Sequence, residues 1–200
     1  MIIEALVTTR NALGETNIAP MGMVVDRGDY RFLELRPFQS TTTYRNLIEK
    51  PHGVAHISDD CGLVARAALG LPLKDLKFLP GKCLDVDILA DACYCHEFTV
   101  VHFDHASPRA NLICHIEATH RFRDFIGFNR AAFAIIECSI LATRLEFLPR
   151  SDVQNKLHEF KKVVIKTGGA QEQDVFKQIE EFIDLRYRDF ASTEECAHEG

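Results

Sequence analysis

The chain has 200 residues, of which 46% are hydrophobic, and a formal net charge of −6. That length and apolar content suit one domain, or one domain with a helical appendage, and exclude a disordered chain. The acidic balance, with no basic stripe, argues against nucleic-acid binding along the chain, so an anionic ligand must be held by a local cluster.

Ile2 to Thr8 reads as a first strand, and Asn11 to Glu15, with Gly14, as a turn. The opening IIEALV has no basic n-region and no apolar run reaches membrane-spanning length. The expectation is therefore a protein of the cytoplasm, with no membrane partner. Asn17 to Val25 reads as the next strand, broken twice. Pro20 removes a ladder donor, which calls for an edge or a bulge, and Gly22 lets another group approach the backbone. A structural bulge accounts for both residues; so does a strand edge exposed to a flat ligand near Met21 to Met23. Gly28-Asp29 turns the chain into a hairpin strand, Tyr30 to Leu35.

The stretch LRPFQSTTTYRNLIEKPHGVAHISDD then concentrates the polar chemistry. Four hydroxyls in a row, Ser40, Thr41, Thr42 and Thr43, lie between Arg36 on one side and Arg45 and Asn46 on the other. Thr43 to Glu49 forms a short helix, ended by Pro51, and Val54 to Ser58 a strand. The first N–H groups of a helix have no internal partner, and hydroxyls and guanidinium groups donate well to phosphate oxygens. The same residues would equally make an ordinary helix cap with spare hydroxyls.

Asp59-Asp60 caps a helix from Cys61 to Leu69, closed by Gly70 and Pro72. Leu73 to Gly81 is a connector. From Leu84, apolar Leu84, Val86, Ile88 and Ala90 alternate with Asp85, Asp87 and Asp91, which predicts a half-buried strand. Tyr94 to Phe103 and Asn111 to Phe122 are further strands, joined through Ala106 to Arg109. Six or seven strands with short turns predict an antiparallel barrel or sandwich rather than a βαβ sheet.

The seven cysteines are odd in number and irregular in spacing, which argues against a disulfide framework. Cys93, Cys95 and His96 lack a second ligand pair, so buried free thiols are expected and no metal. Asn129 to Phe147 predicts a buried helix capped by Asn129, with Arg130, Glu137 and Arg144 as a polar stripe forming an ion-pair seam against the barrel or a second subunit. Ser151 and Gln154 resemble a capping box for a second helix, and Gln171 to Phe190 forms a third; the tail from Ser192 is expected to fray.

Taken in order, NIAPMGM, an arginine, STTTYRNL and GVAHISDD resemble the FMN-binding split-barrel superfamily, which includes flavin reductases and pyridoxamine-phosphate-oxidase-like proteins. More narrowly, with FNRAAFAIIECSILATRL following, the chain is similar to the Domain of Unknown Function 447 family. The resemblance covers about residues 1 to 190. It implies an α+β fold: an antiparallel split β-barrel over residues 1–125, with a C-terminal helical subdomain over 126–200 packed on it. It implies FMN bound near the interface of a homodimer. The phosphate would lie against Ser40, Thr41, Thr42 and Thr43, with Arg36 and Asn46 nearby, and the ring along Ala19, Pro20, Met21, Gly22 and Met23. His56, Asp60, His120 and Arg121 are pocket candidates by position alone. The implied activity is a flavin-dependent oxidoreductase or reductase of unspecified substrate and electron donor. A non-catalytic flavin carrier or sensor, or a structural dimer whose hydroxyl turn binds nothing, remain alternatives.

Overall fold

A computed structural model describes the backbone of residues 1–198 and the side chains of residues 1–190. The third predicted helix, expected to end at Phe190 with fraying from Ser192, runs on to His198; the Cys196 side chain lies outside those described. In chain order the strands are β1 (Ile2–Arg10), β2 (Thr16–Asp26), β3 (Asp29–Leu35), β4 (His52–Ile57), β5 (Phe78–Pro80), β6 (Asp87–Leu89), β7 (Tyr94–Asp104) and β8 (Asn111–Arg121). The helices are α1 (Thr42–Glu49), α2 (Cys61–Leu69), α3 (Arg130–Ala142), α4 (Arg150–Thr167) and α5 (Ala170–His198). Contacts divide the chain into two units: Met1–Asp59 with Leu73–Ile126, and Asp60–Pro72 with the chain from Gly127 on.

In the first unit six strands close into an antiparallel barrel in the order β1-β2-β3-β8-β7-β4, with β5 and β6 forming a separate two-stranded ribbon. Period-two alternation builds its interior. Ala5 and Val7 of β1, Met23 and Val25 of β2, Leu33 and Leu35 of β3 and Leu112 and Cys114 of β8 all point inward. Leu47 of α1 joins the same core. Gly53 exists because β4 passes tightly there: a Cβ would lie 2.7 Å from Cζ of Phe98 and 2.9 Å from the Thr8 carbonyl oxygen.

The predicted strand from Leu84 shrinks to the three residues of β6. The cause is a competing acceptor. The N–H groups of Lys82, Cys83 and Leu84 all donate to the Glu97 carboxylate, at 2.9, 3.1 and 2.9 Å, leaving no ladder for them to join. Asp87 then fastens β6 to β1: Arg10 Nε donates to Asp87 Oδ2 at 2.6 Å and Thr8 Oγ1 to the Asp87 carbonyl at 2.6 Å.

The second unit is helical. Ala131, Ala134, Ile135 and Cys138 recur at helical spacing on α3 and bury against Val153 and Val164 of α4, and Val175, Ile179 and Ile183 of α5. Cys61 and Ala65 of α2 join this core. Asn129 caps α3 as expected, accepting from the N–H groups of Ala131 and Ala132. Three differences from the sequence reading are local. The predicted helix to Phe147 stops at Ala142; the Arg144 N–H turns to the Leu141 carbonyl at 3.0 Å, and a 3₁₀ turn, Leu145–Phe147, follows. Ser151 does not cap α4, which starts two residues earlier than that cap implies, behind Pro149; the Ser151 hydroxyl instead meets Asp152 Oδ1 at 3.4 Å. Among the described residues Arg130, Glu137 and Arg144 form no ion pair; Lys161–Glu180 and Arg186–Glu146 carry the pairing instead.

Candidate functional site

The hydroxyl turn opens α1. Thr41 is its N-cap, in extended backbone, and its Oγ1 accepts from the Tyr44 N–H. The same hydroxyl donates to the Phe38 carbonyl at 2.8 Å. Thr42 and Thr43 supply the first helical N–H groups, which have no acceptor within the helix. Ser40 and Thr42 are exposed, whereas Thr43 is buried.

Two amide-to-hydroxyl bonds fix α1 on the barrel wall. Asn17 Nδ2 donates to Thr43 Oγ1 at 3.0 Å, and Asn46 Nδ2 donates to Thr9 Oγ1 at 3.1 Å. Asn46 is itself buried, so its position is structural. Asn17 lies on β2, two residues before Ala19. The hydroxyl turn and the Pro/Gly-broken strand, separate in the sequence, are thus joined by a direct bond.

β2 has an asymmetric neighbourhood. Against β1 it pairs continuously from Thr16 to Val24, and Pro20 opposite Leu6 causes no register shift. Against β3 it pairs only from Met23 onward. The edge from Thr16 to Gly22 therefore has no strand on that side, which is the setting Pro20 requires. Ala19, Pro20, Met21 and Gly22 are half-buried, while Met23 is in the barrel core. The group that Gly22 admits is the Ile2 side chain: a Cβ would lie 2.9 Å from Ile2 Cγ2.

The two arginines behave differently. Arg36 is exposed and ion-pairs with Glu34. Arg45 Nη2 donates to Thr42 Oγ1 at 3.3 Å, so the guanidinium that reaches the hydroxyl turn belongs to Arg45. Arg45 stood outside the cofactor residues drawn from the resemblance. Its signal was the three-residue helical step from Thr42, which places both side chains on one face.

The residues proposed by position have other employment. His56 is fully buried. The Leu89 N–H donates to its Nε2 at 2.9 Å, so its Nδ1 carries the proton and donates to the Leu6 carbonyl at 3.0 Å. Burial pushes its pKa down to about 4. His120 Nε2 meets Glu97 Oε1 at 2.6 Å. Burial alone would raise the Glu97 pKa, but the three backbone donors and His120 outweigh it and hold the carboxyl below its ordinary value. Arg121 pairs with Asp124, and Asp60 caps α2 by accepting from the Leu63 N–H at 2.9 Å. Cys93 and Cys95 are buried free thiols, and burial pushes Cys95 up to about 12. His96 Nδ1 meets Thr119 Oγ1 at 2.8 Å. Among the described residues no three His, Cys, Asp or Glu side chains are grouped to hold a metal ion. An open hollow of about 620 Å³ at the other end of β2, lined by Val24, Asp26, Phe32 and Ile113 among others, contains none of the candidate residues.

Comparison with known proteins bears on this arrangement. Residues 3–122 match the family described as "Protein of unknown function (DUF447) N-terminal domain", and residues 129–181 match "Protein of unknown function (DUF447)". No curated protein matches. Among solved structures, an FMN-bound protein of the same family from Methanosarcina mazei superposes with a TM-score of 0.76 at 18% identity, covering 90% of this chain and 94% of that one. The 2-nitrobenzoate 2-nitroreductase of Pseudomonas fluorescens gives 0.51 at 21% identity over 59% of this chain and 64% of that one. A flavoredoxin from Methanosarcina acetivorans gives 0.51 at 15% identity over 60% and 68%. At such identities the likeness speaks for the fold, which is the α+β split barrel with C-terminal helices. The two family matches together take in most of the chain, and the protein belongs to the DUF447 family.

Proposed function

We propose that the protein binds FMN, with the phosphate at the start of α1 and the isoalloxazine ring along the unpaired half of β2. The observation that carries this reading is the Asn17–Thr43 bond, which ties the strand edge left unpaired by β3 to a helix start whose first N–H groups have no acceptor within the helix. The residues fit the group. Ser40 and Thr42 present exposed hydroxyls, Thr42 and Thr43 present backbone donors, and Arg45 adds a charge at Thr42. Thr41 and Asn46 shape the turn from within, and Arg36 reaches a phosphate by leaving Glu34. Ala19 to Gly22 give the ring a wall of backbone and small or flexible side chains, while Met23 backs it from the barrel core. The FMN in the Methanosarcina mazei relative supports choosing FMN over another flat phosphate ester.

Bound FMN supplies hydride-transfer chemistry, and the chain's part is to orient the ring and shield it from water. The proposed activity is accordingly that of a flavin-dependent oxidoreductase, in line with the reductase among its structural neighbours. A homodimer and a cytoplasmic location belong to the same reading. No described helix is long and apolar enough to cross a membrane. Exposed Ile2, Phe32 and Val101 on the barrel give a second copy apolar surface to cover.

The absorbance spectrum of the purified protein, before and after reconstitution with FMN, is the first test. Thr42→Ala should then weaken FMN by about tenfold or more, and riboflavin hardly at all, because riboflavin has no phosphate. A colourless protein that takes up no flavin refutes the cofactor. Equal loss of both ligands in Thr42→Ala refutes the phosphate position.

A further inference from the structure

The loop ahead of the hydroxyl turn is not free-standing. The tip of the β7–β8 hairpin, His105 to Arg109, grips it along its length. Gln39 lies immediately before Ser40, and both N–H bonds of its side-chain amide are used: Nε2 donates to the His105 carbonyl at 3.1 Å and to the Ser107 carbonyl at 2.7 Å. Its backbone N–H donates to the Pro108 carbonyl at 2.9 Å. One step further back, Arg109 Nε donates to the Arg36 carbonyl at 2.8 Å, and its guanidinium lies 5.2 Å from the centre of the Phe38 ring. The Ala110 N–H donates to the Pro37 carbonyl at 3.0 Å, and Phe38 bridges Arg109. On the helix side, the Tyr44 hydroxyl meets His105 Nδ1 at 2.6 Å. One hairpin tip thus holds both flanks of Ser40–Thr43.

We propose that Gln39 and Arg109 are positioning residues for the ligand's phosphate. This rests on the FMN reading above and deepens it. Neither side chain is among the phosphate donors proposed there. Gln39 sets where Ser40 and Thr41 sit by tying the residue before them to two carbonyls of the hairpin tip. Arg109 sets the path of residues 36–38 into the turn. A loop held in its binding conformation loses less freedom when the ligand arrives, so the gain falls on the group the loop contacts. The effect is therefore specific to the phosphate and leaves binding of the ring alone.

The experiment titrates the full chain, freed of flavin, with FMN and with riboflavin, following quenching of flavin fluorescence. The parent is compared with Gln39→Met, which keeps side-chain bulk but donates nothing. The expected result is a fall of about fivefold in FMN affinity, through loss of the two amide bonds that preorganise the loop, with riboflavin unchanged. Arg109→Lys keeps the charge, gives up the Nε–H bond, and should move the FMN-to-riboflavin ratio in the same direction. It decides the matter if Gln39→Met fails to fold by circular dichroism. A parent that prefers FMN, with variants that keep its ratio or lose both ligands equally, overturns the positioning role and leaves the phosphate site standing. A parent with no preference for FMN overturns both.

Discussion

Lowering the pH should destabilise this protein before its carboxylates protonate, and His56 is the reason. The imidazole is fully buried, and both ring nitrogens are committed, one accepting from Leu89 and the other donating to Leu6. Protonation would place a second N–H where the Leu89 N–H already points. Burial accordingly takes the pKa from 6.5 to about 4. With the folded value below the unfolded one, the unfolded chain binds more protons, so stability rises with pH across that window. The contribution is complete above about pH 6.5, declines as the pH falls, and reaches its full cost below about pH 4. From about pH 7.5 to about pH 5 the loss comes to about 2 kcal/mol. His96 shifts the same way, also through burial, and steepens the slope. Urea unfolding at both pH values, for the parent and for His56→Gln, measures the effect. The variant starts lower, having lost one of two buried bonds, but its pH slope should be smaller by about 2 kcal/mol. Identical slopes would refute the assignment.

Glu97→Gln should cost about 3 kcal/mol, since an amide cannot accept from three backbone N–H groups and His120 as a carboxylate does; thermal unfolding would show it, and a change within error would contradict the role. In the parent, the stability that Glu97 adds by its lowered pKa should be present at neutral pH and vanish as acid titrates it. Gly53→Ala should destabilise by about 1–3 kcal/mol in denaturant melts, because the added methyl meets the Phe98 ring and the rigid Thr8 carbonyl. Asn129→Ala should cost about 1 kcal/mol by the same measurement, through loss of the α3 cap.

Some of this was legible in the chain because it depends on near neighbours. Strand-forming runs between turn signals placed β1, β3, β7 and β8, since both composition and turns are local. Asp60 and Asn129 announced α2 and α3, because a cap bonds two or three residues ahead. The hydroxyl run announced α1, though it starts at Thr42 behind Thr41, one residue before the expected Thr43. The family motif carried the split barrel with these elements.

Tertiary structure decided what depends on distant partners. Leu84 opens a strand's pattern, yet its N–H goes to Glu97, which lies 13 residues further along the chain. Asp87 looks like a solvated strand residue until Arg10, 77 residues away, takes its carboxylate. Pro20 allows an open edge, but only the late start of β3 pairing creates one. The residue before the hydroxyl run reads as a loop glutamine, and only folding brings it the carbonyls 66 and 68 residues on. Propensity and periodicity act within a few residues, whereas a hydrogen bond is indifferent to separation along the chain. The candidate site is assembled from bonds of the second kind, and it took shape only when the barrel closed.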